Sequence, residues 1–163
     1  MIPIRPAVAL LTFACLIPLN LRADGPGDKP SDEATKLAVK LTEEGAAVFD
    51  TLSAKGMADF YTEDAEIVLV TRGDEGLKTQ THKGKAEIEK AYGEIFKKPE
   101  TIKSRNHVEY AKFLAPDVLV IAGTFDVNTL KPDSPKIPFY QVRMRTGDKW
   151  LMTSLRIFFV PQN

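Results

Sequence analysis

Residues 59–70, DFYTEDAEIVLV, change from helical to extended chemistry within a few positions. Met57, Phe60 and Tyr61 belong to a short helix that Ser53 can cap, whereas EIVLV (66–70) is a β-rich run that cannot continue the helical pattern. Asp59, Glu63, Asp64 and Glu66 crowd the turn between the two. Short polar side chains at such a turn bond neighbouring backbone groups and tolerate unusual dihedrals, so a joint accounts for these acids without an active site.

Working outward, the chain before this joint is helical. Ser31 sits where an N-cap belongs, Asp32 and Glu33 suit the positive end of a helix, and Ala34, Leu37, Leu41, Val48 and Leu52 recur at spacings of three, four and seven. The spacing predicts a helix over 32–50, weakened by Gly45. After the joint, Arg72 to Gly76 reads as a turn and LKTQTHKG as a short strand ending at Gly84. Residues 85–97 return to helical spacing with Ile88, Ala91, Tyr92, Ile95 and Phe96, and Pro99 stops them. The remainder is strand-like: 101–114, a turn at 115–117, 118–128, the proline loop LKPDSPKIP, 139–145, a Gly147-Asp148 hairpin, and 150–160. Short connections imply antiparallel pairing. Helices first and a meander last make an α+β domain with one sheet folded over the helices.

The 163 residues are 44 % hydrophobic and 27 % charged, the make-up of one soluble globular domain. The first 23 residues stand apart. Arg5, an apolar run from Ala7 to Leu19 and small Ala23 before Gly/Pro-rich DGPGDKP read as a signal peptide cleaved near Ala23, followed by a flexible leader over 24–30. The run is short for a bilayer span and is interrupted by Pro18; retention as an uncleaved anchor is the open alternative. The expected location is secreted or periplasmic. Cys15, the one cysteine, leaves with the signal, so the exported chain is expected to hold no disulfide, thiol nucleophile or thiolate metal site. Cleavage removes Arg5 and Arg22 from the 22 basic residues and none of the 22 acids, leaving a net charge of −2. Neither nucleic acid nor an anionic membrane surface is expected as a partner, since both call for concentrated positive charge.

FDTLSAKGMADFYTEDAEIVLV, THKGKAEIEKAYGEIF, VEYAKFLAPDVLVIAGTF and VRMRTGDKWLMTSLR resemble, in order, the successive motifs of SnoaL-like proteins in the nuclear transport factor two-like superfamily. The secreted SgcJ/EcaC-type members are the nearest match, and the resemblance spans about 32–158. It implies a cystatin-like cone: a strongly curved antiparallel sheet wrapped around the long N-terminal helix, with a pocket at the open end and dimerisation through the outer sheet face. Enzymes of that superfamily, such as ketosteroid isomerase and scytalone dehydratase, work through pocket carboxylates, histidines and tyrosines. No motif of this chain matches one of those sites residue by residue. Family members often carry Gly-Asp before the second helix; here Leu52-Ser53 stands instead, so Leu52 is expected in a turn that avoids positive φ.

Four residues are pocket candidates. Tyr61, at the end of the short helix, either points its hydroxyl toward the pocket or is simply core. His82, just before Gly84, and His107, in the strand KSRNHVEY, titrate near working pH; that strand has polar residues on both faces, so one face lines a polar cavity or interface, or is solvated. Arg156 alternates onto the face of Trp150, Met152, Ser154 and Phe158, and so either sits at the wet end of the strand or reaches into the pocket to hold an oxyanion. Arg143 and Arg145 alternate with Val142 and Met144, and Asp126 against Phe125 and Val127, which turns Asp126 outward. No H-x-H or H-E-x-x-H spacing, phosphate-binding glycine loop or G-x-S-x-G occurs, so no metal and no cofactor is expected. The reading is a small, largely apolar ligand in the cone of a homodimer, with cofactor-free acid–base chemistry of isomerase, cyclase or hydratase type where there is any. The alternative is a non-enzymatic assembly module with a filled interior.

Overall fold

A computed structural model describes residues 32–73, 75–97 and 101–159. The expected signal peptide (1–23) and leader (24–30) lie outside the described residues. In chain order the elements are α1 (Asp32–Phe49), α2 (Ala54–Ala58), β1 (Tyr61–Gly73), β2 (Gly76–Lys83), α3 (Lys85–Ile95), β3 (Arg105–Ala115), β4 (Val118–Asp126), β5 (Lys136–Thr146) and β6 (Lys149–Phe159). The strands form one six-stranded sheet in the order β2-β1-β6-β5-β4-β3. The hairpin β1–β2 and the meander β3–β4–β5–β6 are antiparallel, as the short turns dictate. The seam between them is not: β1 runs parallel to β6, which makes the sheet mixed rather than wholly antiparallel. No short turn links these two strands, so nothing local dictates their direction.

The turn expected over Thr62–Asp64 is absent: Tyr61, expected at the end of the short helix, opens β1, so of the four acids Asp59 alone stands at the α2–β1 junction as the C-cap of α2, and Glu63, Asp64 and Glu66 lie within the strand. Asp59 pairs with Lys55 at 3.1 Å and with Lys85, in the first turn of α3, at 3.2 Å; Glu63 reaches the same ammonium at 3.6 Å. Thr62 donates to Asp64 at 3.0 Å. Lys85 beside Asp59 keeps its own pKa raised, and Lys55 and Lys85 hold that of Asp59 down. Ser53 caps α2 by accepting from the Gly56 N–H at 3.0 Å. Leu52 before it adopts φ 55°, the left-handed region that the sequence reading had it avoid. The chain reverses there within residues 50–53, between the end of α1 and the start of α2, and the reversal, not side-chain preference, sets the dihedral.

The inward face of α1 differs in kind from the expected leucine stripe. Its buried residues are Ala34, Ala38, Leu41, Thr42, Ala46 and Phe49, with Leu37 and Val48 only partly buried against the core. Thr42 sits inward by satisfying its hydroxyl on the Ala38 carbonyl at 2.8 Å. Around α1 close Met57, Tyr61, Ala65 and Ile67 from the α2–β1 side, Ile88 and Tyr92 from α3, and Leu119, Ile121, Phe139, Met152 and Leu155 from the sheet. Two edge-on aromatic contacts, Phe49–Phe96 at 5.2 Å and Phe49–Phe125 at 5.1 Å, pin the end of α1 between α3 and β4.

Candidate functional site

The small side chains of α1 do not fill the space under the sheet. A cavity of about 390 Å³ remains, floored by Thr42, Gly45 and Ala46 and walled by Phe49, Phe125, Ile137, Phe139, Leu155 and Ile157. Ile95 and Phe159 also line it while being 60 % and 44 % exposed, which places them at its mouth. A second depression of about 560 Å³ lies on the outer face of the sheet beside Tyr140, Ser154, Arg156 and Phe158. The inner cavity is enclosed by apolar walls and is the better ligand site.

Five polar side chains line it: Tyr61, Tyr92, Asn106, Gln141 and Arg143, besides Thr42 on its floor. Asn106 is committed to the Thr42 carbonyl at 2.9 Å, tying β3 to α1. Tyr61 and Tyr92 join hydroxyl to hydroxyl at 2.9 Å, from β1 and α3. Burial, reinforced by the neighbouring Tyr92, pushes the Tyr61 phenol well above its usual range, and burial raises Tyr92 too. Both are therefore neutral donors at any working pH.

Arg143 is the unusual member. On β5 the residues Ile137, Phe139, Gln141 and Arg143 are buried alternately, so the arginine continues an inward stripe and is 2 % exposed. Its Nε donates to Gln141 Oε1 at 2.8 Å and its Nη1 to the Trp150 carbonyl at 3.4 Å. Among the described residues it has no carboxylate partner within 4.0 Å. Burial pulls its pKa below the ordinary guanidinium value to about 10, opposed by Tyr61, Glu44 and Tyr92. A charge so held out of water without a counter-charge costs the fold free energy.

Of the four residues singled out from sequence, only Tyr61 lines this cavity. His82 is half-buried on β2, 3.2 Å from Gln80 and away from the cavity lining. His107 is exposed, opposite Thr124, and Arg156 is exposed between Val68 and Tyr140 on the outer face. The displacement of Arg156 has a specific cause. Val142 pairs with Ser154 but Arg143 pairs with Met152, so Thr153 is an extra residue in β6. That bulge reverses the alternation: Met152 points in before it, and Leu155 and Ile157 point in after it. Uninterrupted alternation would have put Arg156 on the face of Met152. Arg143 was visible in the sequence as the fourth member of Ile137, Phe139, Gln141 and Arg143 at a spacing of two, but a lone alternation does not say which face is inward.

The sequence matches no protein-family model and no curated protein. Solved structures do match. A domain of unknown function with a cystatin-like fold from Nostoc punctiforme superposes with TM-score 0.61 at 14 % identity, covering 81 % of this chain and 80 % of that one. An NTF2-like protein of unknown function from Shewanella oneidensis gives 0.60 at 17 %, covering 76 % and 98 %. An NTF2-like protein with a cystatin-like fold from Novosphingobium aromaticivorans gives 0.56 at 14 %, covering 78 % and 82 %. At such identities the likeness speaks for the fold alone. With its helices against one face of a curved, unclosed mixed sheet, the chain has the cystatin-like, nuclear transport factor two-like fold.

Proposed function

We propose that this chain is an exported SnoaL-like domain that binds a small, largely apolar molecule in the inner cavity. The observation that carries the reading is the cavity itself: about 390 Å³ of apolar-walled space on which a few fixed polar groups converge. Its described lining holds no Asp, Glu or His, so neither a carboxylate nor an imidazole faces it as a base. The tyrosine pair offers protons and cannot take them. Binding is therefore favoured over acid–base turnover, and an assembly module with a filled interior loses its support to the open space. A homodimer through the outer sheet face belongs to the same reading, supported by Tyr110, Tyr140 and Met144, which lie on that face and are 37 %, 39 % and 42 % exposed. Native mass spectrometry of the protein purified from its own host tests all three parts. The expected spectrum shows a chain beginning near Asp24, a dimer, and a co-purifying small molecule. Failure of any neutral or charged apolar probe to bind saturably to the folded protein would remove the ligand-binding reading.

A further inference from the structure

Resting on that reading of the cavity, we propose that its ligand is a small monocarboxylic acid whose apolar body packs among Phe49, Phe125 and Phe139 and whose carboxylate is held by Arg143. Arg143 is the one charged side chain in the described cavity lining. Two protein acceptors take one N–H each from Nε and Nη1, and Nη2 has no protein acceptor among the described residues. Gln141 takes the Nε N–H and the Trp150 carbonyl one N–H of Nη1, which leaves the Nη2 edge of the guanidinium plane for a ligand. That planar edge matches the two oxygens of a carboxylate.

The charge count narrows the class. A neutral ligand would leave the guanidinium buried and unpaired, whereas a phosphate dianion or a dicarboxylate would bring a second negative charge with no second cation in the described lining to meet it. Glu44 acts on Arg143 electrostatically, and it does so from beyond ion-pair distance. The tyrosine pair adds a further anchor. One phenolic proton lies in the 2.9 Å bond between Tyr61 and Tyr92, and the other has no acceptor among the described residues, which offers it to an oxygen of the ligand. A volume of about 390 Å³ equals roughly a dozen waters, which suits an aryl-alkanoic or medium-chain fatty acid.

The test is isothermal titration calorimetry on the full mature chain with matched pairs: 3-phenylpropanoate and 3-phenylpropanamide, octanoate and octanamide. Each acid is expected to bind at least 10-fold tighter than its amide, and Arg143→Met to weaken the acids by roughly 10- to 100-fold, the worth of a hydrogen-bonded charge, while leaving the amides unchanged. Arg143→Lys should retain part of the preference. Circular dichroism checks that each variant is folded, and should Arg143→Met fail to fold, the acid-to-amide ratio of the parent and of Arg143→Lys still decides. Equal binding of acid and amide, or an acid affinity indifferent to Arg143→Met, overturns the carboxylate assignment and leaves the cavity reading standing. No binding of any of the four compounds to folded protein removes both.

Discussion

A side chain kept for a ligand should be one the fold would be better without, and Arg143 allows that to be measured. Burial lowers its pKa to about 10, and at 1.36 kcal/mol per tenfold change the buried charge costs on the order of 3 kcal/mol at neutral pH. The sign follows from linkage: a cation whose folded pKa lies below its unfolded value is destabilising wherever both states are protonated, and the penalty fades only as pH climbs above about 10. Replacing Arg143 by Met alone removes that penalty but strands the Oε1 of Gln141, which is 4 % exposed, at a cost of about 1–3 kcal/mol. The single variant should therefore lie close to the parent. The double variant Arg143→Met/Gln141→Leu removes charge and orphan together; both partners of the 2.8 Å bond go at once, and the one protein group left without its partner is the Trp150 carbonyl, held by a long 3.4 Å bond. It is expected to be more stable by about 2–3 kcal/mol, with Tm higher by roughly 5–10 °C. Urea denaturation followed by tryptophan fluorescence and circular dichroism measures this, with an unchanged m-value as the check that both variants unfold from the same compact state. A double variant less stable than the parent by more than about 1 kcal/mol would show that Arg143 braces the sheet, and its burial would then need no ligand to explain it.

Other positions give independent tests. A Cβ at Gly123 would lie 2.1 Å from the His107 carbonyl oxygen across β3, so Gly123→Ala should cost more than about 2 kcal/mol in urea melts, because backbone cannot yield as a side-chain tip can. Gly45→Ala, with nothing within 4 Å of the added methyl, should instead raise stability by about 0.5–1 kcal/mol through helix propensity. At Leu52, held at φ 55°, a β-branched valine should destabilise by about 1–2 kcal/mol while asparagine is tolerated; equal melting temperatures for the two would contradict the left-handed turn. Tyr140→Glu with Met144→Glu places two charges on the outer sheet face and should convert the proposed dimer to monomer in light scattering, with the fold intact by circular dichroism.

What was legible in the sequence was whatever local chemistry decides. Ser53 caps α2 and the EIVLV run is strand, although β1 opens five residues before that run, at Tyr61; Gly147, at φ 61°, turns the last hairpin as a glycine in that place should. The direction of β1 against β6 was not legible, because residues 66–71 find their partners at 154–159 and no turn between them carries that information. Nor was the bulge at Thr153. A single unpaired residue leaves no mark in composition, yet it moved Arg156 from the inner face to the outer one and left Arg143 as the buried cation. The inward face of α1 was legible in part: Ala34 and Leu41 are buried and Leu37 and Val48 pack against the core as expected, but Ala38, Thr42 and Ala46, as regular as any leucine repeat, were missed because hydrophobicity alone gives alanine and threonine little weight.

Those small residues and Arg143 belong to one argument. Threonine, glycine and alanine at 42, 45 and 46 leave their opposite walls without contacting atoms, and each forfeited contact is lost packing energy. A leucine at two of these positions would fill much of the space. The unpaired guanidinium is a second cost, and it borders the same space. Two unrelated sources of instability meeting at one point in an otherwise densely packed interior have a common remedy: a molecule with an apolar body and an anionic head offsets both on entering, so stability should rise with ligand concentration by the mass-action law. A cavity left by poor packing alone would have no reason to adjoin the one buried charge among the described residues.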